Sequence, residues 1–388
     1  MKNVHGAVII EGHIQGLANT RALGERGIPV YVVDKGNCIA RYSRYCRKYF
    51  QCPEYLADEF ADFLIELATS EHLSGWVLIP SNDHAVYTIA KHKSRLEQYY
   101  KIITPDLNII ENIYDKSKLI SIAEQNNIPI PATYYFASAD DVTGSDLRYP
   151  VITKGKIGLS FYKAVGKKAL LAHNENELRD QLKAIGEKYD NKETFTQELI
   201  PLNGKNHTVS FTAFCENGEI KTQWMGEKLR EHPVYFGTAT FTKSVRYEDC
   251  CRQSVPLLKA LQYTGVCEIE YILDPRDNIY KLIEVNARTW LWVGLAKACG
   301  IDYARIIYDY VNNNGVHYPD TYQVDRYWIN PVTDTAYTMA GLLRGKYTFS
   351  GYLSSLFNRN MTNALFENGD YKPGIMYLFK LYSFLKER

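Results

Sequence analysis

Apolar and polar positions follow two different periods along the first hundred residues. Short apolar runs at 7–10, 30–34 and 76–79, with another near Ile102-Ile103, read as strands. Helical patterns separate them, through residues 17–23, over 58–70 and from about Asp83. Strands alternating with helices predict a parallel sheet covered on both faces. Asp115 then reads as the N-cap of a helix in which Leu119, Ile120 and Ala123 share a face, and Asn127 before Ile128-Pro129 stops it, so a new domain is expected here. Further on, 149–154 reads as a strand entering a loop and 195–200 as a strand stopped by Pro201. Strands at 266–273 and 279–287 flank the turn Asp274-Pro275-Arg276-Asp277-Asn278. This middle region is expected to be α+β with antiparallel hairpins. The stretch 373–386 predicts an amphipathic helix, and packing against the body is favoured over a membrane surface or a partner.

The hairpin changes the picture from fold to chemistry. A period of two puts Glu284, Asn286 and Arg288 on one face, with Ile283 and Val285 on the other. If the turn closes Asp274 opposite Tyr280, Glu270 lies directly across from Glu284. Like charges at opposed positions repel, and this pair calls for a cation. Magnesium fits, because it takes one or two carboxylates and an amide oxygen, completed by water and substrate phosphates. Glu270, Glu284 and Asn286 are therefore the candidate metal ligands, and Arg288 is placed to neutralise charge on a transferred phosphoryl group. A solvated acidic face is the bland alternative. Two lysines weigh against it: Lys154 ends an otherwise apolar strand, and Lys116 follows a helix cap, where its charge opposes the macrodipole. A phosphate would relieve both.

Composition narrows the class. The 388 residues are 46% hydrophobic and 23% charged, enough to bury a core across two or three packed units, and a net charge of +1 gives no basic face for a nucleic-acid backbone. The eight cysteines form no CxxC pair, so reduced thiols are expected. The first apolar run is too short for a signal peptide or a membrane span, and the expected location is cytoplasmic. The turn Glu11-Gly12-His13-Ile14-Gln15-Gly16 lacks the GxGxxG spacing of a dinucleotide site, although the carboxyl ends of these strands can still form a ligand crevice. His13 and His207 stay outside the catalytic set, and the cysteines receive no role.

Six segments together resemble the ATP-grasp superfamily, in particular its carboxylate–amine ligase branch with the D-aspartate ligase-like proteins. They are Leu78-Ile79-Pro80-Ser81-Asn82-Asp83, Asp115-Lys116 with Ile128-Pro129-Ile130-Pro131, Val151-Ile152-Thr153-Lys154, Gln197-Glu198-Leu199-Ile200, Glu268-Ile269-Glu270 and Glu284-Val285-Asn286-Ala287-Arg288. The resemblance implies an ATP-grasp fold preceded by an open parallel α/β domain, with a helical C-terminal extension. Its expected divisions are an N-terminal domain at 1–114, a lid at 115–196, a nucleotide- and metal-binding subdomain at 197–314 and an aromatic-rich extension at 315–388.

The same resemblance implies residue roles. Lys116 and Lys154 look like the lysines that contact ATP phosphates, and Gln197, Glu198, Leu199 and Ile200 like the cofactor-binding hinge, whose backbone from Glu198 to Ile200 reads adenine. Glu270, Glu284 and Asn286 look like ligands for magnesium, or manganese in its place, and Arg288 like the catalytic arginine beside the γ-phosphate and acyl group. Arg230 resembles a position that meets the carboxylate substrate. One departure is visible: the flap after Lys154, Gly155-Lys156-Ile157-Gly158-Leu159-Ser160-Phe161-Tyr162-Lys163, has few glycines, so a stiffer loop is expected there, or a role for Lys167 or Lys168. The implied activity is amide formation from a small carboxylate and an amine through an acyl phosphate. A phosphotransferase or a non-catalytic nucleotide-binding module are the alternatives, and a homodimer is compatible with this reading.

Overall fold

The computed structural model describes residues 5–201, 206–232, 237–343 and 348–386, with side chains to Phe379. Pro233, which closes the Arg230 segment, and the side chains of the last helical turns fall outside it. Strands β1 (Ala7–Ile10), β2 (Val30–Asp34), β3 (Cys46–Gln51), β4 (Trp76–Pro80) and β5 (Tyr100–Ile102) form a parallel sheet in the order β3-β2-β1-β4-β5. The order reverses at β1 and β4, and the crevice outside their carboxyl ends is where ligands bind in such sheets. Asn82 caps the next helix, Asp83–Lys91, by accepting from the amides of His84 and Ala85 at 2.9 and 3.4 Å. That cap holds Asp83 and His84 at the crevice.

The second sheet is small and antiparallel, with β6 (Thr133–Tyr134), β7 (Val151–Gly155), β8 (Leu170–Ala172) and β9 (Thr194–Glu198) in the order β6-β9-β7-β8. It has its own apolar core, built on Val151, Phe161, Leu178, Leu182 and Ile185. The expected cap at Asp115 is present and accepts from Ser117 N at 2.9 Å, which starts the helix Lys116–Gln125 at the border of this sheet. Asn127 ends that segment with a left-handed φ of 55°.

The third sheet contains β10 (Thr208–Glu216), β11 (Glu219–His232), β12 (Thr238–Ser244), β13 (Gly265–Asp274), β14 (Ile279–Asn286), β15 (Tyr327–Ile329) and β16 (Met361–Asn363). Their order is β14-β13-β10-β11-β12-β15-β16. Periodicity predicted β13 and β14 but neither β3 nor β10 to β12. β10 is buried on both faces, so it shows no alternation, and β11 runs fourteen residues through two irregularities. The C-terminal extension is helical, as expected, and it also lends β15 and β16 to the sheet edge.

Aromatic packing anchors the segment that follows Arg288. The Trp224 ring stacks on Trp290 at 5.8 Å and meets Trp292 edge-on at 5.3 Å. Gly226 lies beneath them, where a Cβ would come within 2.3 Å of the Trp292 ring. The extension is tied down by a buried ion pair. Arg21 Nε donates to Asp370 Oδ2 at 2.8 Å, and Asp370 also accepts from Ser43 Oγ and Arg44 N. The helix Lys372–Lys386 packs Tyr377 toward the core but leaves Ile375, Leu378 and Phe379 exposed, so packing covers part of its apolar surface. No helix among the described residues is long and apolar enough to cross a membrane.

Replacing Asp370 with Ala leaves buried Arg21 with only the partly exposed Glu367, 3.2 Å from its Nε, as counter-charge, which should cost up to about 3–5 kcal/mol. Denaturant unfolding should show that loss, with faster proteolysis C-terminal to residue 360.

Candidate active site

Across β13 and β14, Glu270 faces Glu284 and Glu268 faces Asn286. The route to that register differs from the expected one. Asp274 faces Ile279 rather than Tyr280, and an irregularity between Glu270 and Tyr271, with Ile283 unmatched on β14, restores the carboxylate pair. This bulge corrects the reading of Ile283: it lines the same cleft as Glu284, while Leu282 and Val285 enter the core.

Each opposed carboxylate has its own cation. Lys228 on β11 donates to Glu270 Oε1 at 2.6 Å, and Lys116 donates to Glu284 Oε2 at 3.3 Å. Burial would raise the Glu284 pKa, but Lys116, Lys228 and Lys154 outweigh it and hold the group down at about 2. Lys154 on β7 moves the other way: burial and the charge of Lys116, partly offset by Glu284, lower it to about 8. Behind the pair, Glu268 accepts from Ser210 Oγ at 2.7 Å and Asn286 Nδ2 at 3.0 Å. Burial and the nearby Glu270 raise Glu268 to about 7. Arg288 donates from Nη2 to Asp83 Oδ2 at 2.8 Å and to Asn286 Oδ1 at 3.2 Å, joining the hairpin to the first sheet's crevice.

A cleft of about 480 Å³ brings together Lys116, Lys154, Gln197, Glu198, Leu199, Ile200, Glu270 and Glu284, with Ile152, Ile272 and Ile283 as apolar walls. Within the hinge, the amides of Glu198 and Leu199 donate to Ala132 O and Pro150 O, both at 3.0 Å. The Glu198 carboxylate accepts from Ala132 N at 3.0 Å and Arg276 Nη1 at 2.9 Å, so its side chain locks the hinge to the β13–β14 turn. Gln197 Nε2 donates to Thr133 Oγ1 at 3.0 Å. A second chamber of about 250 Å³ shares Asp83, His84, Lys116, Gly158, Leu159 and Glu284 with this cleft and extends to Asn286 and Arg288.

Arg230 is not brought to the cleft. β11 is irregular between Lys228 and Arg230, so Lys228 faces Thr242 but Arg230 faces Phe241, on the opposite side of β12. There Arg230 makes two 2.8 Å bonds to Asp334, which is fully buried, and its guanidinium lies 4.1 Å from the Phe241 ring. It clamps the C-terminal helix Pro331–Leu343 instead of meeting a carboxylate substrate as the resemblance implied, and Lys228 is the β11 cation that lines the cleft. The flap also differs from the expected loop. Residues Gly158–Val165 form a helix ended by Gly166 at φ 79°, which accounts for the shortage of glycine within it, and Lys168 lines the cleft beyond.

Among the described residues no group of three or more His, Cys, Asp or Glu gathers as a metal site. Glu270, Glu284 and the Asn286 amide oxygen are hard donors on adjoining strands, the partial set magnesium takes when phosphate and water oxygens complete its shell. Sequence reading missed Lys228, His84, Asp83 and Glu268. The position of Asp83 and His84 at the end of β4 was the available signal for two of them.

The carbamoyl-phosphate synthase L chain, ATP binding domain family matches residues 228–308, the stretch holding β13, β14 and Arg288. The D-aspartate ligase of Enterococcus faecium (strain Aus0004) is 23% identical over 261 residues, 64% of this chain and 62% of that protein. The chain has the ATP-grasp fold. Solved structures agree on this fold. The N5-carboxyaminoimidazole synthetase of Staphylococcus aureus complexed with ADP superposes with a TM-score of 0.64 at 16% identity, covering 84% of this chain and 81% of that one. The L-amino acid ligase of Bacillus licheniformis gives 0.60 at 16% identity, covering 80% and 75%. The chain spans about three-fifths of the D-aspartate ligase, and it covers 20% of the carbamoyl phosphate synthase large chain of Methanobrevibacter smithii (strain ATCC 35061 / DSM 861 / OCM 144 / PS).

Arg230→Ala separates the two readings of that residue. Leaving Asp334 unpaired should cost about 3–5 kcal/mol in denaturant unfolding, while ATP affinity of the folded fraction, measured by calorimetry, stays within about twofold.

Proposed function

We propose that this chain is an ATP- and magnesium-dependent ligase that joins a carboxylate to an amine through an acyl phosphate. The observation that carries the reading is the meeting of Glu270 and Glu284 with Lys116, Lys154 and Arg288 at one cleft and the chamber that opens from it. Adenine would lie between Ile152 and Ile272 with Ile283, against the hinge. Since the Glu198 and Leu199 amides are engaged within the protein, the Ile200 amide is the proposed hinge donor to the base. Lys154 and Lys116 would hold phosphate oxygens.

Glu270, Glu284 and Asn286 would hold magnesium, which when bound would neutralise phosphate charge. Arg288 would receive the substrate carboxylate and stabilise the charge that develops as its oxygen attacks the γ-phosphate. Its Nε is buried without a partner among the described residues, leaving a donor for this purpose. Asp83 would fix the guanidinium in place. These residues position the reactants and balance charge, which is the protein's main share in phosphoryl transfer. No side-chain nucleophile is needed.

Incubation with ATP, magnesium, hydroxylamine and a panel of carboxylic acids tests the reading. Acid-dependent hydroxamate formation supports it, and a phosphorylated product without hydroxamate contradicts it. Glu284→Gln should reduce ATP turnover by at least about 10²-fold, the scale seen when a group stabilising developing charge is lost, with unchanged circular dichroism. Nucleotide affinity should also depend on pH. Phosphates favour charged Lys154, whose free-state pKa of about 8 is lower than the ordinary 10.5. Affinity is then greatest below pH 8 and falls by up to about tenfold per unit above it, and Lys154→Arg should flatten that fall in a calorimetric titration.

A further inference from the structure

The 250 Å³ chamber meets the nucleotide cleft at His84 and Leu159 and has an apolar lining on its far side, including Val86, Ile110 and Ile113. His84 is half-buried at the first turn of the helix Asp83–Lys91. Its Nδ1 lies 2.9 Å from Tyr114 Oη, at the end of the helix Leu107–Tyr114, while its Nε2 has no partner among the described residues. With Nδ1–H donating to Tyr114, the lone pair on Nε2 is left for a substrate. Burial lowers the His84 pKa. Asp83 on the same helix opposes that shift, whereas Lys35, Lys163 and Arg288 add to it, so the ring is neutral at pH 7. The position is next to the proposed acyl phosphate, because the same chamber reaches Lys116, Glu284 and Arg288.

We propose that His84 is the general base for the attacking amine, and that this chamber receives a small primary amine with an uncharged, mostly apolar body. The inference rests on the ligase reading above. The amine nitrogen forms the C–N bond with its lone pair, and the C–O bond of the acyl phosphate breaks with its electrons leaving on phosphate. An amine that arrives as an ammonium ion first gives one proton to His84 Nε2, which frees that lone pair and passes the proton to solvent, and the second proton, lost by nitrogen after attack, leaves on the departing phosphate. Tyr114 is a positioning residue that fixes the tautomer.

The test compares two nucleophiles, hydroxylamine, which is neutral at pH 7, and n-butylamine, which is protonated. Each is supplied with ATP, magnesium and the L and D forms of the protein amino acids as carboxylates. Wild-type protein is expected to form both hydroxamate and butylamide. His84→Asn should retain hydroxamate formation within about twofold and lose butylamide formation by about 10²-fold or more, with the deficit shrinking as pH rises and free amine accumulates. Tyr114→Phe should shift the pH profile of butylamide formation and leave hydroxamate formation unchanged. Equal losses for both nucleophiles in His84→Asn, or no loss for either, would overturn the assignment to His84. Absence of hydroxamate from wild-type protein with every acid would remove the acyl phosphate, and this inference with it.

Discussion

Two carboxylates held opposite each other on neighbouring strands are the constraint around which the rest of this site is arranged. Glu270 and Glu284 cannot both ionise at that separation without positive charge close by. The chain supplies it from three places: Lys228 from the same sheet, Lys116 from the capped helix after the first domain, and Lys154 from the lid. Their combined charge overrides burial and keeps Glu284 ionised far below neutral pH, while burial and the charge of Lys116 make Lys154 a lysine that gains from a phosphate. This is the charge pattern that the proposed metal and polyphosphate would meet.

The same charges couple parts of the molecule that pack into separate cores. The lid has its own apolar cluster, whereas the helix Lys116–Gln125 packs with the large sheet. Glu198 joins them, since its carboxylate takes bonds from the β6 side of the lid and from Arg276 on the β13–β14 turn. Arg288 performs the corresponding task toward the first sheet by pairing with Asp83. Movement of the lid would carry Lys154 relative to Glu284 and leave the Arg288–Asp83 contact unchanged.

Much of this was legible in the sequence, for reasons that particular residues make clear. The cap at Asp115, the stop at Asn127, the helix start near Asp83 and the strands β1, β2, β4, β13 and β14 follow local rules, and local rules determined them. The pairing of Glu270 with Glu284 was read correctly although the turn was read one residue off, because the bulge at Ile283 compensates. Arg230 shows the limit. Alternation places it beside Lys228, and only the irregularity between them, set by the sheet's tertiary packing, sends it to Asp334. Strands buried on both faces, such as β10, lose the period-two signal for a related reason. His84 carries no motif of its own, and its position becomes meaningful only when the helices ending at Tyr114 and beginning at Gly158 enclose it.

The most direct measurement of the central claim is a crystal structure of the wild-type protein with manganese and a non-hydrolysable ATP analogue, collected at a wavelength where manganese scatters anomalously. The account predicts a peak between the Glu270 and Glu284 carboxylates, within coordination distance of both and of the Asn286 amide oxygen, with the analogue's phosphates completing the shell. An analogue bound in the cleft with no peak at that hairpin, or with the metal held elsewhere, would contradict it.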